Sequence, residues 1–173
     1  MVEDKNFLTT DQIDFIDTFI LGDNFPYYLN LNSVTNDGNK YLCHSVIKRP
    51  EEREDSEPFY NSDYYEPILN IFRNFVVKNN IEVQEVLRCS VNLTFNTMED
   101  QCPVHNDHEY PHKQFLMYLN DCFDKDAKTI ILKNNEKYEI VPEKFKGICF
   151  DSSPHYMIYP KKDIRVVLVV TFR

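Results

Sequence analysis

The stretch GICFDSSPHYMIYPKKDIRVVLVVTF, residues 147–172, holds three short β-branched and aromatic segments: GICF, HYMIYP and IRVVLVVTF. Asp, Ser, Pro and Lys separate them. Segments of that length and composition, cut by turn formers, read as strands. Working back along the chain, KYEIV, KTIILK, KQFLMYLN and EVQEVLRCSVNLTF have the same character. Many short strands in succession predict an antiparallel sandwich or barrel over residues 81–173.

The first eighty residues read differently. In TTDQIDFIDTFI, Thr9 stands three residues before Gln12, a capping-box spacing, and Ile13, Ile16 and Ile20 follow at helical intervals. A short helix over about residues 10–20 is expected. Tyr65, Ile68, Leu69, Phe72, Phe75 and Val76 fall on one helical face, so a second helix is expected over 63–78. KYLCHSVI (40–47) reads as a strand in which His44 packs. KRPEEREDSEPFYNSD (48–63) is charged and proline-interrupted, an exposed loop or, on a sharper reading, a mobile lid. The expected architecture is mainly β with flanking helices. Residues 1–80 form a helix-bearing support and 81–173 a β core, together one domain of 173 residues.

Composition narrows the function classes. Apolar residues make up 42% of the chain and aromatics 14%, which is globular and not disordered composition. A net charge of −9 argues against a broad nucleic-acid-binding face. The five cysteines are scattered, with no CxxC pair, so buried reduced thiols are expected and a zinc or disulfide framework is not. MVEDKNFLTT is too polar for a signal peptide, and VVLVV (166–170) is too short to cross a bilayer. These features point to a soluble cytoplasmic protein, monomeric or weakly dimeric.

The candidate site begins at PVHNDHEYPHKQFLMYLND, 103–121. In extended backbone, residues two apart share a face, so His105 and Asp107 can share a metal. His155, far downstream, is the candidate third ligand. Two histidines and one carboxylate on one side of a metal leave open positions, the arrangement of non-haem Fe(II) sites. Arg165, ten residues after His155, lies in the most apolar strand. A buried arginine needs an anion: a local carboxylate such as Asp163, or an incoming dicarboxylate. His108 and His112 match no further ligand and read as a polar rim loop.

These residues resemble the 2-oxoglutarate and Fe(II)-dependent oxygenases, closest to the prolyl 4-hydroxylase-like branch and its compact, phage-type members. His105-Asn106-Asp107, then His155, then Arg165 carry the resemblance, with FLMYLND (115–121) and the run 141–172 around them. It covers roughly residues 80–173. The resemblance implies a double-stranded β-helix, a jelly roll whose mouth holds Fe(II) on His105, Asp107 and His155. It implies that Arg165 and Tyr118 bind the distal carboxylate of 2-oxoglutarate. The family's Gly-Gly before Thr129 is replaced by Ala127-Lys128, which leaves Thr129 without an assigned role.

The implied reaction is hydroxylation of a substrate C–H bond with O₂ as cosubstrate, release of succinate and CO₂, and ascorbate as a candidate reductant. The implied substrate is a protein or peptide side chain, prolyl first, or a small molecule. In a phage genome the setting would be the host cytoplasm. Two other classes compete. A non-catalytic jelly-roll module would bind metal or a small acid, and a zinc hydrolase would leave Arg165 unexplained.

Overall fold

In the computed structural model, residues 1–34, 37–53 and 59–173 are described. The elements in chain order are β1 (Val2–Asp4), α1 (Thr10–Phe15), β2 (Tyr28–Asn30), β3 (Tyr41–Ile47), α2 (Tyr65–Lys78), β4 (Val86–Thr94), β5 (Lys113–Tyr118), β6 (Thr129–Lys133), β7 (Glu136–Ile140), β8 (Gly147–Asp151), β9 (His155–Met157) and β10 (Arg165–Phe172). A π-helical turn, Ile16–Ile20, continues α1. Thr9 caps α1 as the spacing predicts: its hydroxyl accepts from the Gln12 N–H, and its own N–H donates to Gln12 Oε1.

The strands form two antiparallel sheets. The larger runs β1-β8-β5-β10-β4-β3-β2 and the smaller β7-β6-β9. The fold is thus mainly β with a jelly-roll core, as expected. The N-terminal eighty residues contribute β1, β2 and β3 to the larger sheet as well as the helices. β1 and β2 escape sequence reading because each is three residues long, polar in part, and placed at a sheet edge.

Strand alternation sorts the larger sheet into two faces. On the outer face, Val91 of β4, Phe115 and Met117 of β5, and Val166, Leu168 and Val170 of β10 pack against the helices. There α2 lays down Phe72 and Phe75, whose rings meet Phe115 at 5.6 and 4.7 Å between centroids. On the inner face, Leu116, Ile148, Val167 and Val169 meet Ile131 and Ile140 of the smaller sheet. Every residue of β10 is buried. The VVLVV run is therefore a central strand covered on both faces. Among the described residues no helix is long and apolar enough to cross a membrane.

Gly147 opens β8 where the outer core is tightest. A Cβ there would come within 2.9 Å of a Phe7 ring carbon and 3.0 Å of Phe115 and Phe75. Three packed rings cannot all retreat, so Gly147→Ala is expected to cost about 1–3 kcal/mol, as overpacking does. Urea unfolding measures it; an unchanged midpoint would show that the aromatic layer yields freely.

Candidate functional site

The segment before β5 returns to the smaller sheet and lies beside β9. His105 and His155 are bridged directly: the His105 N–H donates to the His155 carbonyl at 3.0 Å, and the His155 N–H to the His105 carbonyl at 2.9 Å. That pairing brings the two imidazoles to 4.6 Å between centroids. Each ring is held the same way. His105 Nδ1 lies 2.9 Å from the Pro103 carbonyl, and His155 Nδ1 lies 2.9 Å from the Ser153 carbonyl. With a proton on each Nδ1, both Nε2 lone pairs are left for a ligand.

Asp107 is buried beside them, its Oδ2 3.6 Å from His155 Nε2. Its Oδ1 accepts from Arg49 Nη2 at 2.8 Å and Arg88 Nη1 at 2.9 Å, and Arg49 Nη1 also donates to the Asp107 carbonyl. Burial alone would raise the carboxyl's pKa. Arg88, His155, Arg49 and His105 outweigh it and hold the group well below the usual carboxylate range. Burial conversely keeps His155 neutral, against the pull of Asp107. Two imidazoles and a carboxylate are donor types that non-haem Fe(II) takes. Among the described residues, however, no group of three or more His, Cys, Asp or Glu is arranged to hold a metal ion.

Arg165 projects into the same inter-sheet cavity as His105, Asp107 and His155. Only 2% of it is exposed. Its Nη2 donates to Thr129 Oγ1 at 2.7 Å, its Nη1 reaches the Met157 sulfur at 3.4 Å, and its Nε has no partner. Asp163 does not pair with it; that carboxylate accepts from the Phe123 and Ile164 N–H groups. Among the described residues no carboxylate meets Arg165. Tyr118 lies behind. Its ring faces the guanidinium at 5.2 Å, and its hydroxyl donates to the Ile140 carbonyl at 3.2 Å and lies 2.9 Å from Thr129 Oγ1. Thr129, left without a role by the sequence, is thus the hydroxyl between Arg165 and Tyr118.

Other expectations meet the structure less directly. His108 and His112 are each only 6% exposed, not rim residues. His108 Nε2 is 2.8 Å from Thr171 Oγ1, and the two rings pack edge to face. His44 does pack in β3, between the Pro26 carbonyl and the Ser62 hydroxyl. All five cysteines are buried and free. The lid reading of 48–63 falls partly on residues 54–58, outside the described residues. Arg49 and Arg88 are the functional neighbours that sequence reading missed. For Arg88 a signal existed: Arg88, Ser90, Asn92 and Thr94 alternate with Leu87, Cys89, Val91 and Leu93, a strand with one polar face.

No family model and no curated protein sequence matches the chain. Solved structures do. A 2OG-Fe(II) oxygenase-family oxidoreductase from Burkholderia pseudomallei aligns with a TM-score of 0.74 at 16% identity, covering 96% of this chain and 80% of that one. A Trichoplax adhaerens prolyl hydroxylase, solved with a hypoxia inducible factor peptide fragment, aligns with a TM-score of 0.67 at 13% identity, covering 99% and 82%. A non-heme alpha-ketoglutarate-dependent epimerase of nogalamycin biosynthesis gives 0.65 at 9% identity, covering 99% and 76%. At these identities the likeness is one of fold: the chain has the double-stranded β-helix of the 2-oxoglutarate and Fe(II)-dependent oxygenases.

Asp107→Asn keeps the shape and removes the charge that Arg49 and Arg88 share. A loss of about 3 kcal/mol is expected, as when one partner of a buried ion pair is removed. The Asp107 carboxyl titrates below its unfolded value of about 3.9. Its stabilising share is therefore complete above that pH and is lost progressively as the pH falls from there toward the lower folded value. Urea unfolding should show parent stability falling more steeply than the variant's below about pH 4. Equal slopes would mean that the guanidiniums do not depend on this charge.

Proposed function

We propose that the protein is a 2-oxoglutarate-dependent, non-haem Fe(II) dioxygenase that hydroxylates a substrate C–H bond. The observation that carries this reading is Arg165, a buried guanidinium that meets no carboxylate among the described residues, opening on the cavity that holds two histidines and an aspartate. An unpaired buried charge is costly, and an incoming dicarboxylate would relieve it. His105, Asp107 and His155 would hold Fe(II). Arg165 would hold the distal carboxylate of 2-oxoglutarate, with Thr129 and Tyr118 fixing its guanidinium from behind. Bound there, iron and 2-oxoglutarate would supply the oxidising chemistry that hydroxylates the substrate, with O₂ consumed and succinate and CO₂ released.

The chain's own part is positioning. The Pro103 and Ser153 carbonyls fix each imidazole's tautomer, and the two arginines hold Oδ1 so that Oδ2 faces the imidazoles. The apolar inner faces of the sheets keep bulk water from the site. The Trichoplax neighbour's peptide complex supports a peptide substrate here, prolyl first. A second reading is a module that binds a small acid on Arg165 without iron chemistry; that no group of three such side chains among the described residues is arranged to hold a metal favours it.

One titration separates the two. Fe(II) and then 2-oxoglutarate are added without oxygen, and visible absorbance is recorded. A weak metal-to-ligand charge-transfer band that bleaches on admitting O₂, with succinate formed, is expected. Iron binding without the band would sink the oxygenase reading. His105→Ala should lose iron binding. Arg165→Ala should weaken 2-oxoglutarate binding about 100-fold, the worth of a charge-assisted contact, and affect iron far less. Equal loss of both would make Arg165 a fold residue.

A further inference from the structure

Three guanidiniums line the cavity, those of Arg49, Arg88 and Arg165, against one carboxylate, Asp107. Resting on the proposed function, the charges can be assigned. The two positive charges of Fe(II) would be met by Asp107 and by one carboxylate of 2-oxoglutarate. Arg165 would be met by the other carboxylate. Arg49 is offset at the rim by Glu52, whose Oε1 lies 3.8 Å from its Nε. Arg88 is left over. Only 14% of its side chain is exposed. Among the described residues its one hydrogen-bond acceptor is Asp107, through Nη1. Among the described residues no other carboxylate pairs with it.

The surroundings of Arg88 are polar and incompletely satisfied. Ser90 and Asn92 follow it on the inner face of β4, and both Ser90 Oγ and Asn92 Oδ1 are buried without partners. Arg88 pairs with Thr171 of β10, which pairs with Gln114 of β5, so Gln114 lies in the same row across the sheet. Its Oε1 is also buried without a partner. Asn92 and Gln114 line the cavity with Arg88. An unpartnered buried polar group is costly, and a site built to hydrogen-bond a ligand leaves such groups unpaired until that ligand arrives.

We infer that the substrate presents a carboxylate beside the carbon that is oxidised, and that Arg88 receives it, with Arg49 at the rim side and Asn92 and Gln114 adding neutral hydrogen bonds. The carboxylate can belong to a free small acid or to an acidic residue of a peptide. Either supplies the one anion that the charge assignment lacks. A two-pronged contact from a guanidinium suits a planar carboxylate better than a lysine's point charge would.

The test uses the full chain with Fe(II), 2-oxoglutarate and O₂, and measures succinate formed alone and with four matched pools. These are free amino and hydroxy acids, their primary amides, blocked peptides containing Asp or Glu, and the same peptides with Asn or Gln. One acid pool should raise succinate formation at least tenfold over its neutral counterpart, and which pool responds identifies the source. For the responding acid, Arg88→Lys should raise the half-saturating concentration at least tenfold and change the maximal rate less. Calorimetry with Mn(II) replacing Fe(II), without oxygen, should show the same loss in binding. Neutral pools that match the acids would overturn the inference, as would succinate formed alone with no acid raising it. Absence of both succinate and the iron–cosubstrate absorbance would instead remove the oxygenase reading beneath it.

Discussion

Two backbone hydrogen bonds, between His105 and His155, hold the site together. They are the point where the segment after β4 meets β9, and they convert a long sequence separation into direct side-chain neighbourhood. In an antiparallel pair, residues directly opposite place their side chains on the same face. The bridge therefore fixes the mutual position of the imidazoles before any side-chain interaction acts. The carbonyl two residues back in each segment then selects the tautomer. Asp107, two residues beyond His105, inherits its place from the same bridge.

Much of this was legible. The strands of the second half announce themselves because each is short, β-branched and bounded by turn formers, and α2 because six apolar residues share one face. The edge strands β1 and β2 were not legible, since three residues carry no periodicity. His105, Asp107 and His155 could be nominated from residue type and order, but only the bridge places them together. Arg49 sits in a charged, proline-bearing run whose ordinary place is in water, and nothing local says that it turns inward to Asp107. His108 is buried through a partner 63 residues away, Thr171, which no spacing rule could supply.

The larger sheet divides stability from chemistry by strand parity. On β4, Cys89 and Val91 are buried on the helix side, while Arg88 and Asn92 face the cavity. The aromatic layer of Phe72, Phe75 and Phe115 lies entirely on the first side. A core of that kind can offset several unsatisfied polar groups at once, because buried rings contribute area that is indifferent to charge. A one-residue slip of β4 would exchange the two sets and ruin both faces, so register is held by the cavity's polarity as much as by the core.

The cavity's cationic lining also runs against the charge of the whole chain. At −9 the protein repels acids at long range, and over distances beyond a Debye length of about 10 Å at 0.1 M salt that repulsion is largely screened. Recognition of an acid, as proposed, would then be local, made by guanidiniums within hydrogen-bond reach between the two sheets. Asp107 alone cannot neutralise Arg49, Arg88 and Arg165, and it is also the carboxylate that a metal would claim. Were a cation to draw on Asp107 Oδ2, less negative charge would remain for the two arginines on Oδ1. Metal loading would then strengthen the cavity's demand for a further anion, coupling the two halves of the proposed site through one carboxylate.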